Sequence, residues 1–297
     1  MASADGVIGS TLHAATEQLR ASGSPTARLD AEVLLAHVTG HDRAWVLAHP
    51  EAELEADAAL ELHAALARRA GGEPIAYIRG FKEWRSLRIR TDARALIPRP
   101  ETELLAEAAM VEIAERLTRD AERVVAWDVA TGSGAVAVAL AIRFRSPLAL
   151  QRLTLVASDV SPEALDLTAE NLELHGVGDL VTLARADLLG PAGGSLPLPD
   201  VVIANLPYVA SAEVDARQGS LGYEPRVALD GGPDGLTLLR RLLDTLSTQA
   251  ARGATVFLEI GIGQVAAIAA LAPPGSSLSV VPDLAGLDRV VRLGMPD

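Results

Sequence analysis

Trp127-Asp128-Val129-Ala130-Thr131-Gly132-Ser133-Gly134, running on into the helical stretch Ala135 to Arg143, decides the fold: an apolar strand breaks at a glycine turn and resumes as a helix. Glycines at such a turn let backbone approach a ligand closely and open a helix N-terminus towards it. Outward from this stretch, β-rich runs at Val124 to Val129, Leu153 to Ser158, Val181 to Arg185, Val201 to Ala204 and Thr255 to Ile260 alternate with helical ones, beginning with a helix from Glu101 to Thr118. Strands that alternate with helices pair in parallel through right-handed crossovers. A doubly wound α/β sheet is therefore expected, with ligands at the carboxyl ends of its strands.

Upstream the grammar differs. From Thr11 to about Arg69 apolar positions recur at helical spacing, as in Leu29, Val33 and Leu34 and then Leu60, Leu62 and Leu66, with breaks at Ser22 to Pro25, Gly40-His41-Asp42 and His49-Pro50. Gly71-Gly72-Glu73-Pro74 ends that pattern, and Trp84-Arg85-Ser86-Leu87-Arg88-Ile89-Arg90 alternates apolar with polar residues, as an exposed hairpin does. Three segments are expected: a helical domain at residues 1–73, a β-hairpin linker at 74–97 and a catalytic domain at 98–297.

The composition excludes several functions. With a net charge of -13, non-specific attraction to free nucleic acid is opposed, since a duplex carries about one phosphate charge per 1.7 Å. Cysteine is absent and the six His show no ligand-like spacing, so neither disulfides nor a metal site is expected. No run of 18 apolar residues and no signal-like start appear, so a cytoplasmic protein without membrane contact is expected. A monomer is the further expectation.

Four strand ends carry the chemistry. The turn Gly132-Ser133-Gly134-Ala135-Val136-Ala137 meets the relaxed, Ala-ending form of the dinucleotide fingerprint, so by itself it leaves NAD and S-adenosylmethionine evenly placed. Asp159 ends the second strand, 25 residues beyond Gly134 (159 minus 134), where a carboxylate can accept both hydrogen bonds of a ribose diol. Its helix-capping duty falls more naturally to Ser161, directly before Pro162. Asp187 and Leu188 follow the third run, where they could flank an adenine. The fourth strand runs into Asn205-Leu206-Pro207-Tyr208. An Asn oxygen and the next backbone carbonyl can each accept one N–H of a flat NH2 group while the tyrosine stacks on its plane. Hydride transfer has no use for that pairing, so the balance tips to methyl transfer onto an amide-type nitrogen. A nucleobase amino group poses the same geometric problem.

In order, these strand ends resemble a class I S-adenosylmethionine-dependent methyltransferase. The stretch Ala95 to Glu103, with its Pro98-Arg99-Pro100-Glu101-Thr102, is similar to a signature of the protein-(glutamine-N5) methyltransferases of bacterial release factors, the PrmC/HemK family. Arg28 to Glu32, Glu73 to Gly80, Glu224 to Gly232, Leu258 to Gly261 and Asp283 to Val290 extend the resemblance over nearly the whole chain. It implies a Rossmann-like, seven-stranded, mostly parallel sheet behind an all-α domain that helps recognise the release factor. It further implies that Ala130, Thr131, Gly132, Ser133, Gly134, Asp159, Asp187, Leu188 and Asn205 bind S-adenosylmethionine and release S-adenosylhomocysteine. Asn205, Leu206, Pro207 and Tyr208 would hold the glutamine of the substrate's Gly-Gly-Gln loop, with Asn205, Pro207 and Tyr208 catalytic. Two positions depart from the pattern: Ala130 stands where the family usually has Gly, and Leu206 replaces the first proline of Asn-Pro-Pro-Tyr. Because Leu206 precedes Pro207 it keeps a bias to extended backbone. The alternatives are another protein glutamine such as one on a ribosomal protein, a nucleobase amine, an NAD-dependent oxidoreductase, and a noncatalytic cofactor-fold binding protein.

Overall fold

The computed structural model describes residues 6–119, 123–190, 194–216 and 219–296, apart from the side chain of Ser220. The chain divides into two compact units, Met1–Phe81 with Gln218–Tyr223, and Lys82–Arg217 with Glu224–Asp297. Helices α1 (Ile8–Ala21), α2 (Ala27–Thr39), α3 (Arg43–Ala48), α4 (Ala56–Ala70) and α5 (Ile75–Arg79) build the first. Their apolar faces meet in a core that includes Ile8, Leu12, Leu19, Leu34, Leu35, Leu62 and Leu66. Asp42 caps α3, accepting from the Trp45 backbone N–H at 2.7 Å, so the Gly40-His41-Asp42 break works as a helix start. Helix α5 occupies part of the stretch read as hairpin linker. Pro74 sets its entry and Gly80 ends it in the left-handed conformation, a pairing that supports even one turn of helix.

The hairpin itself is narrower than residues 74–97 and not exposed throughout. Its strands β1 (Phe81–Trp84) and β2 (Leu87–Arg90) pair with each other, and Trp84 and Ile89 are fully buried in the core of the second unit. The Trp84 indole N–H donates to the Arg99 carbonyl at 2.9 Å. Arg85 and Ser86 form the connection with φ of 48° and 61°. Positive φ at both central residues is the type I′ geometry usually announced by Asn-Gly.

The second unit continues with α6 (Thr102–Arg119), β3 (Val124–Val129), α7 (Ala135–Arg143), α8 (Arg145–Ala149), β4 (Leu153–Asp159), α9 (Pro162–Leu174), β5 (Val181–Arg185) and β6 (Val201–Ala204). After α10 (Ser211–Asp215) and α11 (Thr237–Gln249) come β7 (Thr255–Glu259), α12 (Val265–Leu271), β8 (Ser277–Pro282) and β9 (Asp288–Gly294). The strands form one seven-stranded sheet ordered β5-β4-β3-β6-β7-β9-β8. Pairing is parallel from β5 to β7, whereas β9 runs antiparallel to both β7 and β8. Apolar residues of α6 and α7 pack on one face and those of α11 on the other. Buried on both sides, β3, β6 and β7 are apolar almost throughout, as parallel central strands must be. Strand β3 lies between β4 and β6, so the strand order reverses there and a crevice opens at its carboxyl end.

Candidate active site

The crevice is built on the turn that leaves β3. Buried Asp128 accepts through Oδ2 from the Thr131 hydroxyl at 2.6 Å and from the Ala137 backbone N–H at 3.1 Å, tying the turn to the first residues of α7. Burial pushes its carboxyl up to about 7, against the pull of those two donors. Gly134 caps α7 with φ 75°, and a Cβ there would stand 2.7 Å from Thr168 Cγ2, so this position needs glycine for conformation and for space. The Thr168 hydroxyl in turn donates to the Gly132 carbonyl at 3.0 Å. Ala130 and Leu188 are left-handed without being glycine, at φ 56° and 57°. Such a conformation costs an L-residue about 1–2 kcal/mol and persists where its surroundings dictate it. Ala130 therefore does not unbuild the turn; it adopts the conformation a glycine would.

A cavity of about 320 Å³ lies over this turn, within the usual range for small-molecule sites of about 300–1,000 Å³. Ala130, Thr131, Gly132, Ser133, Asp159, Asp187, Leu188, Asn205, Leu206 and Pro207 all line it, whereas Gly134 and Tyr208 do not. Asp159 accepts from the Gly132 N–H at 2.9 Å through Oδ2 and from the Ser161 N–H at 3.0 Å through Oδ1. Each oxygen keeps a second lone pair for a ligand. Burial raises its pKa, opposed by backbone donors. Ser161 does cap α9, accepting from Ala164 N–H at 3.1 Å, with Pro162 in the first turn. Asp187 is half committed elsewhere, to Arg241 at 2.7 Å. Leu96, Ile97, Val227 and Leu238 supply apolar wall. A close-approach backbone turn, a carboxylate with free lone pairs and apolar walls fit a nucleoside with a ribose diol.

At the far end of the cavity Asn205 is gripped from behind. Its Nδ2 donates to Thr102 Oγ1 at 3.1 Å, and the Thr102 hydroxyl donates to Glu259 Oε2 at 2.6 Å. Glu259 is 2% exposed, and burial raises its pKa to about 7. With Nδ2 engaged, the Asn205 carbonyl oxygen is turned away from Thr102. Among the described residues no hydrogen bond takes up that oxygen or the Leu206 carbonyl. The loop beyond is clamped by two backbone hydrogen bonds and one from a side chain. Val209 N–H donates to Leu229 O at 3.1 Å, Gly231 N–H to Val209 O at 2.8 Å, and Gln264 Nε2 to Tyr208 O at 3.2 Å. Gly235 packs so tightly on the Tyr208 carbonyl that a Cβ would overlap it. Burial raises the Tyr208 phenol pKa, and its ring lies against Gly261.

Thr102, Glu259, Gly235 and Gln264 were not singled out by sequence reasoning. Thr102 and Glu259 sit in the signature-like stretches Ala95 to Glu103 and Leu258 to Gly261, which was the only signal available; 157 residues separate them. Glu224, in another such stretch, accepts from Arg99 at 2.5 Å and from the Ile97 N–H at 3.1 Å, holding the wall of the cavity.

Sheet order, glycine turn and cavity define a Rossmann-like class I methyltransferase. The catalytic domain of hMettl16 solved with a MAT2A 3′UTR hairpin shares this fold, with a TM-score of 0.53 over 81% of this chain and 82% of that one at 13% identity. A family model for the PrmC N-terminal domain matches residues 10–80. Release factor glutamine methyltransferase of Moorella thermoacetica is 39% identical over 93% of this chain and 94% of its own length. Those of Deinococcus radiodurans and Neisseria gonorrhoeae are 34% and 36% identical over 94% and 89% of this chain, and over 95% and 92% of their own. The chain belongs to the release factor glutamine methyltransferase family. Among the described residues no helix is long and apolar enough to cross a membrane.

Proposed function

We propose that this chain transfers a methyl group from S-adenosylmethionine to the side-chain amide nitrogen N5 of the glutamine in the Gly-Gly-Gln loop of bacterial class I peptide chain release factors. The observation that carries the reading is the orientation of Asn205, whose amide nitrogen is engaged from behind so that its oxygen is free for an N–H donor. In this reading Ala130 to Gly134, Asp159, Asp187 and Leu188 hold the cofactor. Asp159 takes the ribose diol, and Gly134 acts by shaping the turn rather than by touching the ligand. Residues 1–73, joined by the linker at 74–97, would recognise the release factor as a cytoplasmic monomer.

When bound, the cofactor supplies an electrophilic methyl group on a sulfonium. The chain must make a poor nucleophile attack it. Resonance delocalises an amide lone pair, the effect behind the roughly 18–20 kcal/mol rotation barrier of a peptide bond. Asn205 Oδ1 and the Leu206 carbonyl would each accept one N–H of the glutamine amide. As the nitrogen gains positive charge both bonds strengthen, which stabilises the transition state above the ground state. Pro207 stiffens the loop, and Tyr208 borders the glutamine's plane from outside the cofactor cavity. The methylated nitrogen then loses one proton to water, so no protein base is needed.

The test is mass spectrometry of a purified release factor incubated with the protein and S-adenosylmethionine. One added methyl on the Gly-Gly-Gln glutamine is expected, with the Asn205→Ala variant at least about 100-fold slower. No added methyl from protein that binds the cofactor would refute the substrate, and an undiminished variant would refute the role of the loop.

A further inference from the structure

A carboxylate can only accept hydrogen bonds. Ionised Glu259 therefore obliges the Thr102 hydroxyl to donate to it, which leaves Thr102 Oγ1 only lone pairs to offer Asn205. The Asn205 amide must then present Nδ2 to Thr102 and Oδ1 to the cavity. Reverse any link and the chain reverses: a protonated Glu259 that donates to Thr102 frees the hydroxyl hydrogen for Asn205 Oδ1. The amide would then flip, and Nδ2 would meet the N–H bonds of the substrate donor to donor. We propose that Thr102 and Glu259 are positioning residues that lock the Asn205 amide with its oxygen towards the substrate nitrogen. This deepens the methyl-transfer reading above and rests on it.

All three side chains are held by rigid elements. Thr102 opens α6, Glu259 ends β7 and Asn205 follows β6, and Thr102 and Glu259 are buried. The charged and titratable groups that act on Glu259 are known. Glu101 beside Thr102 repels its charge, and Arg289 on β9 attracts it. Tyr208 lies close enough for each to raise the cost of the other's ionisation, and Arg99 lies on the tyrosine's side. Burial is the largest influence and raises the Glu259 pKa to about 7, opposed by the hydrogen bonds from Thr102 and Asn205.

The variants are Thr102→Val, which keeps the shape and removes the hydroxyl, Thr102→Ser, which restores it, and Glu259→Gln, which cannot titrate. Release factor methylation at saturating cofactor should show Thr102→Val reduced about 10- to 100-fold in kcat, with S-adenosylhomocysteine affinity within about twofold. Thr102→Ser should recover to within about threefold of the parent. The parent's kcat should fall with acid around the Glu259 pKa of about 7, and Glu259→Gln should lack that limb. A second readout needs no turnover. The Asn205 side-chain 15N resonance, assigned by its loss in Asn205→Asp, should move with pH in the parent and stay fixed in Glu259→Gln. A kcat for Thr102→Val within about threefold of the parent, a Thr102→Ser no better than Thr102→Val, or an Asn205 resonance that titrates equally in Glu259→Gln would overturn the proposal. Should the parent protein leave release factor unmethylated, the functional reading fails while the resonance still decides the relay.

Discussion

Gly134→Ala is the sharpest probe of the cofactor turn. The new methyl group meets two separable costs. At φ 75° an L-residue is strained by about 1–2 kcal/mol. Its Cβ would stand 2.7 Å from Thr168 Cγ2 and 3.1 Å from Thr168 Cβ and Oγ1, and overpacking of this kind costs about 1–3 kcal/mol more. Thr168 is fully buried in α9 and ties down the Gly132 carbonyl, so it cannot swing aside without breaking that bond, worth about 1 kcal/mol. A loss of about 2–5 kcal/mol is expected, from a native stability of about 5–15 kcal/mol. Urea denaturation of the parent, Gly134→Ala, Thr168→Ala and the double variant measures both parts. Truncating Thr168 should return the overlap and leave the φ strain, giving a coupling energy of about 1–3 kcal/mol. Effects that simply add to within about 0.5 kcal/mol would show that the glycine is not there to make room for Thr168.

Ala130→Gly should raise stability by up to about 1 kcal/mol, because relief of left-handed strain outweighs the flexibility gained by the unfolded chain; a loss in the same denaturation assay contradicts the conformational account. Ser86→Gly in the β1–β2 connection should stabilise by a similar amount for the same reason, and no gain in urea midpoint would count against a type I′ turn. For Asp128 the folded pKa of about 7 stands above the ordinary 3.8, so the native state holds the proton more tightly than the unfolded chain. Its contribution is complete below about pH 4 and is lost as pH rises through 7. Asp128→Asn, which can still accept from Thr131 and Ala137, should flatten the decline in stability between those values. An unchanged slope would mean that Asp128 ionises freely when buried.

The parallel part of the sheet was legible because its signals are local. The short apolar runs at Val124 to Val129, broken only by Asp128, and at Val201 to Ala204, lying between helical stretches, read as strands covered on both faces. Ser161-Pro162 announced a helix start in two residues. Less visible was whatever depends on long-range closure. Arg85-Ser86 lacks the residues that mark a tight turn, and its geometry is imposed by burying Trp84 and Ile89. β8 and β9 escaped the periodicity reading, their outward residues being mixed, and the full strand count came only from family likeness. The site divided in the same way. Backbone features at residues 130–134 and the end of β4 were readable in place. The grip on Asn205 was not, since it joins side chains from α6, β7 and the loop after β6 that only the fold brings together. Tyr208, expected at the substrate from its chemistry and from the family resemblance, lies against Gly261 and outside the cofactor cavity.

Two carboxyl groups, Asp128 and Asp159, flank the turn where a dinucleotide fold would seat its pyrophosphate, and one of them already binds the start of α7. Burial presses both towards their protonated forms. A ligand that carries positive charge into this crevice, as a sulfonium does, favours their ionised forms and expels protons as it enters. Phosphates would do the reverse. Capture of such a cation is expected to release protons, so that S-adenosylmethionine affinity measured by calorimetric titration should rise with pH, and an affinity flat with pH would refute the coupling. The same turn that fits either nucleotide by shape would then separate them by charge.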